Sequence, residues 1–179
     1  MKQHGFTIIE IIVVLAICGI LAAIGTLSFS KMTTKANIES QIKQMYSDLM
    51  TARIEAMDRT TSHFVTLNAN QYSVTEDTVG NCTNTNCVYV AGAGNDPTPY
   101  QPPPMTNTIL WNSGNGAATP SGVQIIFDNR GLVQSTTGTT GIIGTISIKD
   151  TVGAAYDCIL IETTKTSMGA MSGVSCVPK

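Results

Sequence analysis

Glu10 is the first residue that needs a chemical explanation. It heads the run Ile11–Ile24, which reads IIVVLAICGILAAI and has no polar side chain. On membrane-insertion scales a carboxylate in such surroundings costs at least about 2.5–3.5 kcal/mol, so it calls for a cationic partner or access to water. The segment offers no cation one helical turn away. The plain alternative is a position near a membrane surface, from which the side chain reaches water.

The remaining reactive side chains do not assemble into a catalytic set. Of two histidines, His4 precedes the apolar run and His63 stands in a strand-like segment with no Ser or Cys motif to activate. Neither a nucleophile elbow nor a phosphate-cradling glycine loop is present, so no enzyme activity and no cofactor are expected. Asp128-Asn129-Arg130-Gly131 could suggest a metal loop, but no second acidic cluster follows at ligand spacing, and the pattern reads as a turn. Cys18 lies in the apolar run as a small apolar residue, leaving Cys82, Cys87, Cys158 and Cys176, which permit three pairings. The local arrangement, Cys82–Cys87 with Cys158–Cys176, closes two short loops and is preferred. Zinc is the rival use, but neither pair has metal-finger spacing, so no metal is expected. Disulfides point to an oxidising compartment.

The elements that position these residues follow from an uneven distribution of charge. Only 12% of the 179 residues are charged while 42% are hydrophobic, against roughly a quarter charged in an ordinary soluble domain. Residues 1–30 hold only Lys2 and Glu10, residues 31–60 hold nine charged side chains, and residues 61–179 hold eleven. Counted from Phe6 the apolar stretch runs about 24 residues, enough to cross a bilayer core of about 30 Å as one helix. Ala16, Gly19, Ala22 and Ala23 would let neighbouring helices approach closely.

From Lys31 to about Arg59 the residues Ile38, Ile42, Met45, Leu49, Ala52 and Ala56 recur at steps of four and three, one stripe of an amphipathic helix. No Gly or Pro interrupts it, so the two segments should join in a single rod. Met45, Met50 and Met57 read as core filler. Beyond Arg59 the period becomes two. His63–Leu67 and Gln71–Thr75 form a hairpin around Asn68-Ala69-Asn70, and further strands are expected at Val88–Ala91, Ile109–Trp111, Val123–Phe127, Leu132–Gln134, Ile142–Ile148 and Tyr156–Ile161. Gly92–Pro104 holds five of the seven prolines and reads as a surface loop.

Gly5-Phe6-Thr7-Ile8-Ile9-Glu10, after the polar leader MKQH and before the apolar helix, resembles the class III signal of type IV pilins and pseudopilins. Ala52-Arg53-Ile54-Glu55-Ala56 leading into Phe64–Leu67, and Phe127-Asp128-Asn129-Arg130-Gly131-Leu132, resemble passages of the GspH/FimT group of minor pseudopilins. The resemblance implies cleavage between Gly5 and Phe6 by a prepilin peptidase, which also methylates the new amino group of Phe6. It implies that Glu10 pairs with the terminal amine of a neighbouring subunit and sets axial register. The implied fold is α+β and pilin-like, a long N-terminal helix packed on an antiparallel β-rich region.

On this resemblance residues 1–5 are a removed leader, 6–30 a transmembrane and filament-core helix, 31–60 its amphipathic continuation, and 61–179 a periplasmic or extracellular globular domain. The implied partners are the peptidase, other pilins or pseudopilins through the N-terminal helix, an inner-membrane assembly platform, and membrane lipid before assembly. The implied location is the bacterial inner membrane, single-pass, and then the filament. Some pseudopilins hold calcium in loops, which keeps Asp128 in view. Filament-forming major pilins usually carry a proline where this chain has Leu27.

The expected role is therefore a minor pilin or pseudopilin that helps initiate or cap a type IV pilus or a type II secretion pseudopilus. The alternatives are a major pilin or a DNA-uptake pilin. Residues 61–179 carry seven acids against four bases, which is poor electrostatics for phosphate, so nucleic acid is not an expected partner. A gel shift at low salt should accordingly show no tight, salt-sensitive complex with duplex DNA, and such a complex would restore the DNA-uptake reading.

Overall fold

A computed structural model describes residues 7–77, 99–114, 116–134, 142–150 and 152–179, with backbone alone at 23–28, 142 and 143. Gly5, Phe6, Cys82, Cys87 and the expected strand Val88–Ala91 lie outside the described residues.

The described residues open with one helix, α1 (Ile8–Arg59), 52 residues long and about 78 Å at 1.5 Å per residue. The apolar and amphipathic segments are thus a single rod, as the absence of proline requires. It ends at Thr60, whose φ of 55° places it in the left-handed region that commonly terminates helices. Among the described residues nine strands follow: β1 (His63–Asn68), β2 (Tyr72–Glu76), β3 (Ile109–Asn112), β4 (Ser121–Phe127), β5 (Val133–Gln134), β6 (Ile142–Ile148), β7 (Cys158–Glu162), β8 (Thr166–Ser172) and β9 (Ser175–Pro178). They form two antiparallel sheets, ordered β2-β1-β4-β5 and β3-β6-β7-β8-β9, so the fold is α+β as expected.

Both sheets bury an alternating face on the same side of α1. Register places Tyr72, Leu67 and Val123 in one cross-strand row and Val74, Val65 and Ile125 in the next. In the second sheet Trp111, Ile146, Ile159 and Met168 form the corresponding row. A slip of one residue would turn these rows to the opposite face, which is why the alternation fixes the pairing. Ile38, Ile42, Met45, Leu49, Ala52 and Ala56 are each 0–2% exposed, so the six-residue stripe is the helix's contribution to the core.

Each large member of that stripe is worth roughly 1.5–3 kcal/mol when buried. A hydrogen bond is worth about 1 kcal/mol net. The stripe therefore decides where the helix lies and which face it turns inward, and polar residues flanking it refine that orientation. Tyr72 donates to Asp48 Oδ2 at 2.6 Å, Arg53 donates to the Thr164 carbonyl at 2.9 Å, and the Ala155 amide donates to Glu39 Oε1 at 2.8 Å. Burial, reinforced by the Asp48 carboxylate, pushes the Tyr72 hydroxyl well above its ordinary range, so it remains a donor. Of the three methionines read as core filler, Met45 is buried and Met50 half-buried. Met57 instead stays 43% exposed, because it lies beside the stripe in the last turn.

The described end of the proline-rich segment is tied down at several points. Val74 and Tyr100 exchange backbone hydrogen bonds, Met105 donates to Asn70, Ile109 donates to Ala69, and Pro102 is buried. It is the connection that carries the chain from the first sheet to the second.

Strands β8 and β9 depart from the sequence reading, which ended the strands at Ile161. Thr166–Ser172 reads TSMGAMS, with small side chains and no alternation of large apolar ones, so its pattern carries no strand signal. Its strand state comes from pairing with β7 and β9. Strand β9 folds toward the outer face and lies against β7, to which Cys176 is joined by the Cys158–Cys176 disulfide with Cα atoms 5.9 Å apart. Gly169, between them on β8, leaves no room for a side chain: a Cβ there would sit 2.1 Å from the Val177 carbonyl oxygen. Gly169→Ala should therefore destabilise the chain by about 1–3 kcal/mol in chemical denaturation with the disulfide intact, the usual cost of overpacking against an unyielding neighbour.

Candidate functional site

The two halves of α1 meet different surroundings. From Ile38 onward one face is covered by the sheets, whereas from Ile8 to Ala22 every described side chain is exposed. Ile8 is 82% exposed, Ile12 60% and Leu21 64%, and these residues point in all directions around the helix. A helix that is apolar all round needs apolar surroundings all round. The domain supplies none here, so the free half is a surface built for burial against something else.

Its small residues have open space beside them: a Cβ at Gly19 would meet nothing within 4 Å. Cys18 is a free, exposed cysteine. Phe29 and Met32, each 72% exposed, extend the apolar surface toward the domain. The Thr33 and Thr34 hydroxyls donate to the carbonyls of Phe29 and Ser30, each at 3.0 Å, which satisfies these polar groups within the helix.

The helix begins at a built N-terminus. Thr7 is the N-cap, and the Glu10 amide donates to the Thr7 carbonyl at 3.1 Å and to its Oγ1 at 3.4 Å. Thr7-Ile8-Ile9-Glu10 has the spacing of a capping box, a local signal that the sequence reading did not use. Glu10 therefore sits in the first turn, where the helix macrodipole favours a carboxylate by about 0.3–1 kcal/mol. That is well short of the roughly 2.5–3.5 kcal/mol needed to carry the charge into an apolar medium. The cap orients Glu10, and a cation from outside the described residues is still required if this end is buried.

Among the described residues no helix is long and apolar enough to cross a membrane. Ile8–Ala22 measures only about 22 Å at 1.5 Å per residue, short of a bilayer core of about 30 Å. The expected span depends also on Phe6 and on 23–28, whose side chains are not described.

At the far end of α1 a second cluster joins helix to sheet. Arg59 bonds Glu76 at 2.9 Å, and Thr61 donates to the other oxygen of Glu76 at 3.0 Å. His63, buried in β1, has Nε2 3.6 Å from Glu55 and Nδ1 3.4 Å from the Thr61 carbonyl. Met57 lies against Gly131, whose φ of 72° and lack of a side chain admit the thioether, since a Cβ there would fall 2.7 Å from sulfur. The two passages singled out in the sequence, one on the helix and one in a turn, thus touch in space.

That turn is organised by Asp128. Its Oδ1 accepts the amides of Arg130 and Leu132 at 2.9 and 2.8 Å, while Oδ2 accepts the Arg130 guanidinium at 2.9 and 3.1 Å. Both oxygens accept from protein donors, which gives this carboxylate the turn-organising role read from the sequence. Among the described residues no group of three or more His, Cys, Asp or Glu is placed to hold a metal ion.

Comparison with known proteins gives two matches. Residues 1–26 match the family model described as the prokaryotic N-terminal methylation motif, and residues 41–164 match the model described as type II transport protein GspH. Neither a curated protein nor a solved structure gives a significant match.

The geometry at Asp128 makes a pH prediction. Burial alone would raise its carboxyl, but the hydrogen bonds from Leu132 and Arg130 and the Arg130 charge outweigh it, holding the pKa below the ordinary carboxylate value. A carboxyl depressed in the folded state adds stability above its unfolded pKa, and that stability is lost as pH falls through the folded value. Melting curves between neutral pH and about pH 3 should show the wild type losing more stability than Asp128→Asn, which keeps the turn's acceptor but not its charge.

Proposed function

The chain belongs to the GspH family of type II transport proteins, and from that premise we propose that it is a minor pseudopilin or minor pilin, a structural subunit whose free half-helix packs among its neighbours. The reading rests on one observation above all. From Ile8 to Ala22 α1 exposes its apolar side chains, while from Ile38 onward one face is committed to its own domain. A soluble monomer would leave that surface in water, and a patch of this size marks an interaction site.

Before assembly the same surface would be held by lipid, with 61–179 on the periplasmic side of the bacterial inner membrane. The unbroken helix through 23–28 and the absence of charge between Glu10 and Lys31 support a single-pass anchor. The leader motif supports cleavage between Gly5 and Phe6 by a prepilin peptidase and methylation at Phe6. Thr7 would then be the second residue of the mature chain and Glu10 the fifth, so the capped first turn would begin almost at the new terminus.

Physically, assembly exchanges lipid for helices. Small residues along Ala16, Gly19 and Ala22 favour close approach, and the apolar majority keeps the exchange nearly neutral in hydrophobic terms. Register must then come from the one group that cannot be left unpaired. Glu10 on one subunit and the terminal amine on another satisfy each other only at one axial offset, and breaking such a pair by removing one partner costs about 3–5 kcal/mol. The subunit would help initiate or cap a type IV pilus or a type II secretion pseudopilus through this contact and the assembly platform.

Replacing Glu10 tests the mechanism. Glu10→Ala should still be cleaved, as read by N-terminal sequencing from methylated Phe6, and should remain in the membrane fraction. It should nevertheless enter sheared filaments at a small fraction of the wild-type level. Normal incorporation would overturn the role of Glu10 in register, and a chain left uncut by the peptidase would overturn the subunit reading itself.

A further inference from the structure

A cavity of about 590 Å³ opens at the second sheet, beside β3, β6 and the β8–β9 hairpin. Leu110 and Asn112 on β3 line it together with Met171 and Val174 of the β8–β9 hairpin, and its charged members are Asp150, Asp157 and the exposed Lys149. The volume falls within the roughly 300–1,000 Å³ of small-ligand sites.

Asp157 is the unusual member. It is only 6% exposed, and its Oδ1 accepts the Met171 amide at 2.7 Å, which leaves Oδ2. Among the described residues no lysine or arginine forms an ion pair with it: Lys179, whose charge acts on it, donates to the Ala155 carbonyl, and Lys149, which lines the same cavity, is an exposed side chain outside the ion pairs. Burial, with a further contribution from the neighbouring charge of Asp150, lifts the Asp157 carboxyl above its ordinary value despite the Met171 hydrogen bond. The Met171 amide needs an acceptor, but an asparagine carbonyl would serve without the cost of a buried charge. A negative charge here is more than the fold requires.

We propose that this cavity binds a primary alkylammonium group, as carried by a lysine side chain, with Asp157 as its counter-charge. One free carboxylate oxygen suits the point charge of an ammonium better than the two-pronged guanidinium of arginine, which is matched by both oxygens of a carboxylate. Asp150 adds to the negative field but spends its oxygens on the Val152 and Ala154 amides. Two carboxylates with no third ligand group do not make a metal site. Leu110, Met171 and Val174 provide apolar walls for a methylene stem. The subunit reading enters only as one source of the ammonium, a lysine on a neighbouring subunit, and a free diamine is the other.

NMR on the full chain in detergent micelles tests the site, following the amides of Asp157, Met171 and Val174. The probes are Nα-acetyl-lysine-N-methylamide, cadaverine and, as the uncharged control, Nα-acetyl-norleucine-N-methylamide. The ammonium probes should produce saturable shifts at these amides and the norleucine probe none. Tighter binding of the lysine derivative would assign the site to a protein side chain, and tighter binding of cadaverine to a free diamine. Asp157→Asn, which retains an acceptor for Met171, should weaken the response by at least about tenfold, equivalent to ~1.4 kcal/mol. Equal shifts with norleucine, or an unchanged response in Asp157→Asn, would overturn the proposal. The titration uses isolated chains, so its failure stays separate from leader cleavage and filament incorporation, which test the subunit reading.

Discussion

The burial of one helical stripe, Ile38 to Ala56, is the contact on which the rest of the molecule depends. The two sheets share no strand, and each covers part of the same helix face. Remove the stripe and neither sheet retains a complete core. Because the stripe begins only at Ile38, the exposed residues from Ile8 to Ala22 are released from any duty to the domain. The helix can therefore be a structural core at one end and an unsatisfied apolar surface at the other, without a hinge between them.

That arrangement explains why the joint at the far end of the helix is so heavily tied. Any force applied to the free half is transmitted along the helix to the domain, where the apolar stripe sets which face turns inward and the polar contacts at its flanks and end add to the hold. Arg59, Glu76 and Thr61 link the end of the helix to β1 and β2, Met57 rests on Gly131, and Tyr72, Arg53 and Glu39 reach the sheets from the flanks. Each interaction is worth only about 1 kcal/mol net, yet they act about different axes and together leave the helix one orientation. The disulfide serves the opposite edge, holding β9 against β7, where a short strand with two exposed valines nearby would have little to retain it.

Residues whose role is set by periodicity were legible in the sequence. The stripe steps of four and three predicted the helix face residue by residue, and the alternation in His63–Leu67, Val123–Phe127 and Ile142–Ile148 predicted strands close to their observed bounds. The leader-like hexapeptide and the two later passages carried the family resemblance, which the family models bear out. Strands β8 and β9 were not legible, because small residues such as Gly169, Ala170 and Ser172 have no apolar rhythm and take their conformation from neighbouring strands. Met57 was misread for a related reason: methionines at helical spacing look alike, and only the position of the sheets says which one meets the core.

Taken by itself, the sequence determined what depends on local order along the chain: a helix without proline, a change of period after Arg59, a turn at Asp128 and a lone carboxylate at Glu10. Tertiary structure decided what depends on which distant segments meet. It set two sheets on one helix face, brought Met57 to Gly131 and Cys176 to Cys158, and placed a buried carboxylate, Asp157, in the wall of a cavity. The division is physical. Backbone propensity and hydrophobic period act over a few residues and are written there, whereas burial and the cost of an unpaired charge are properties of surroundings that the folded chain alone creates.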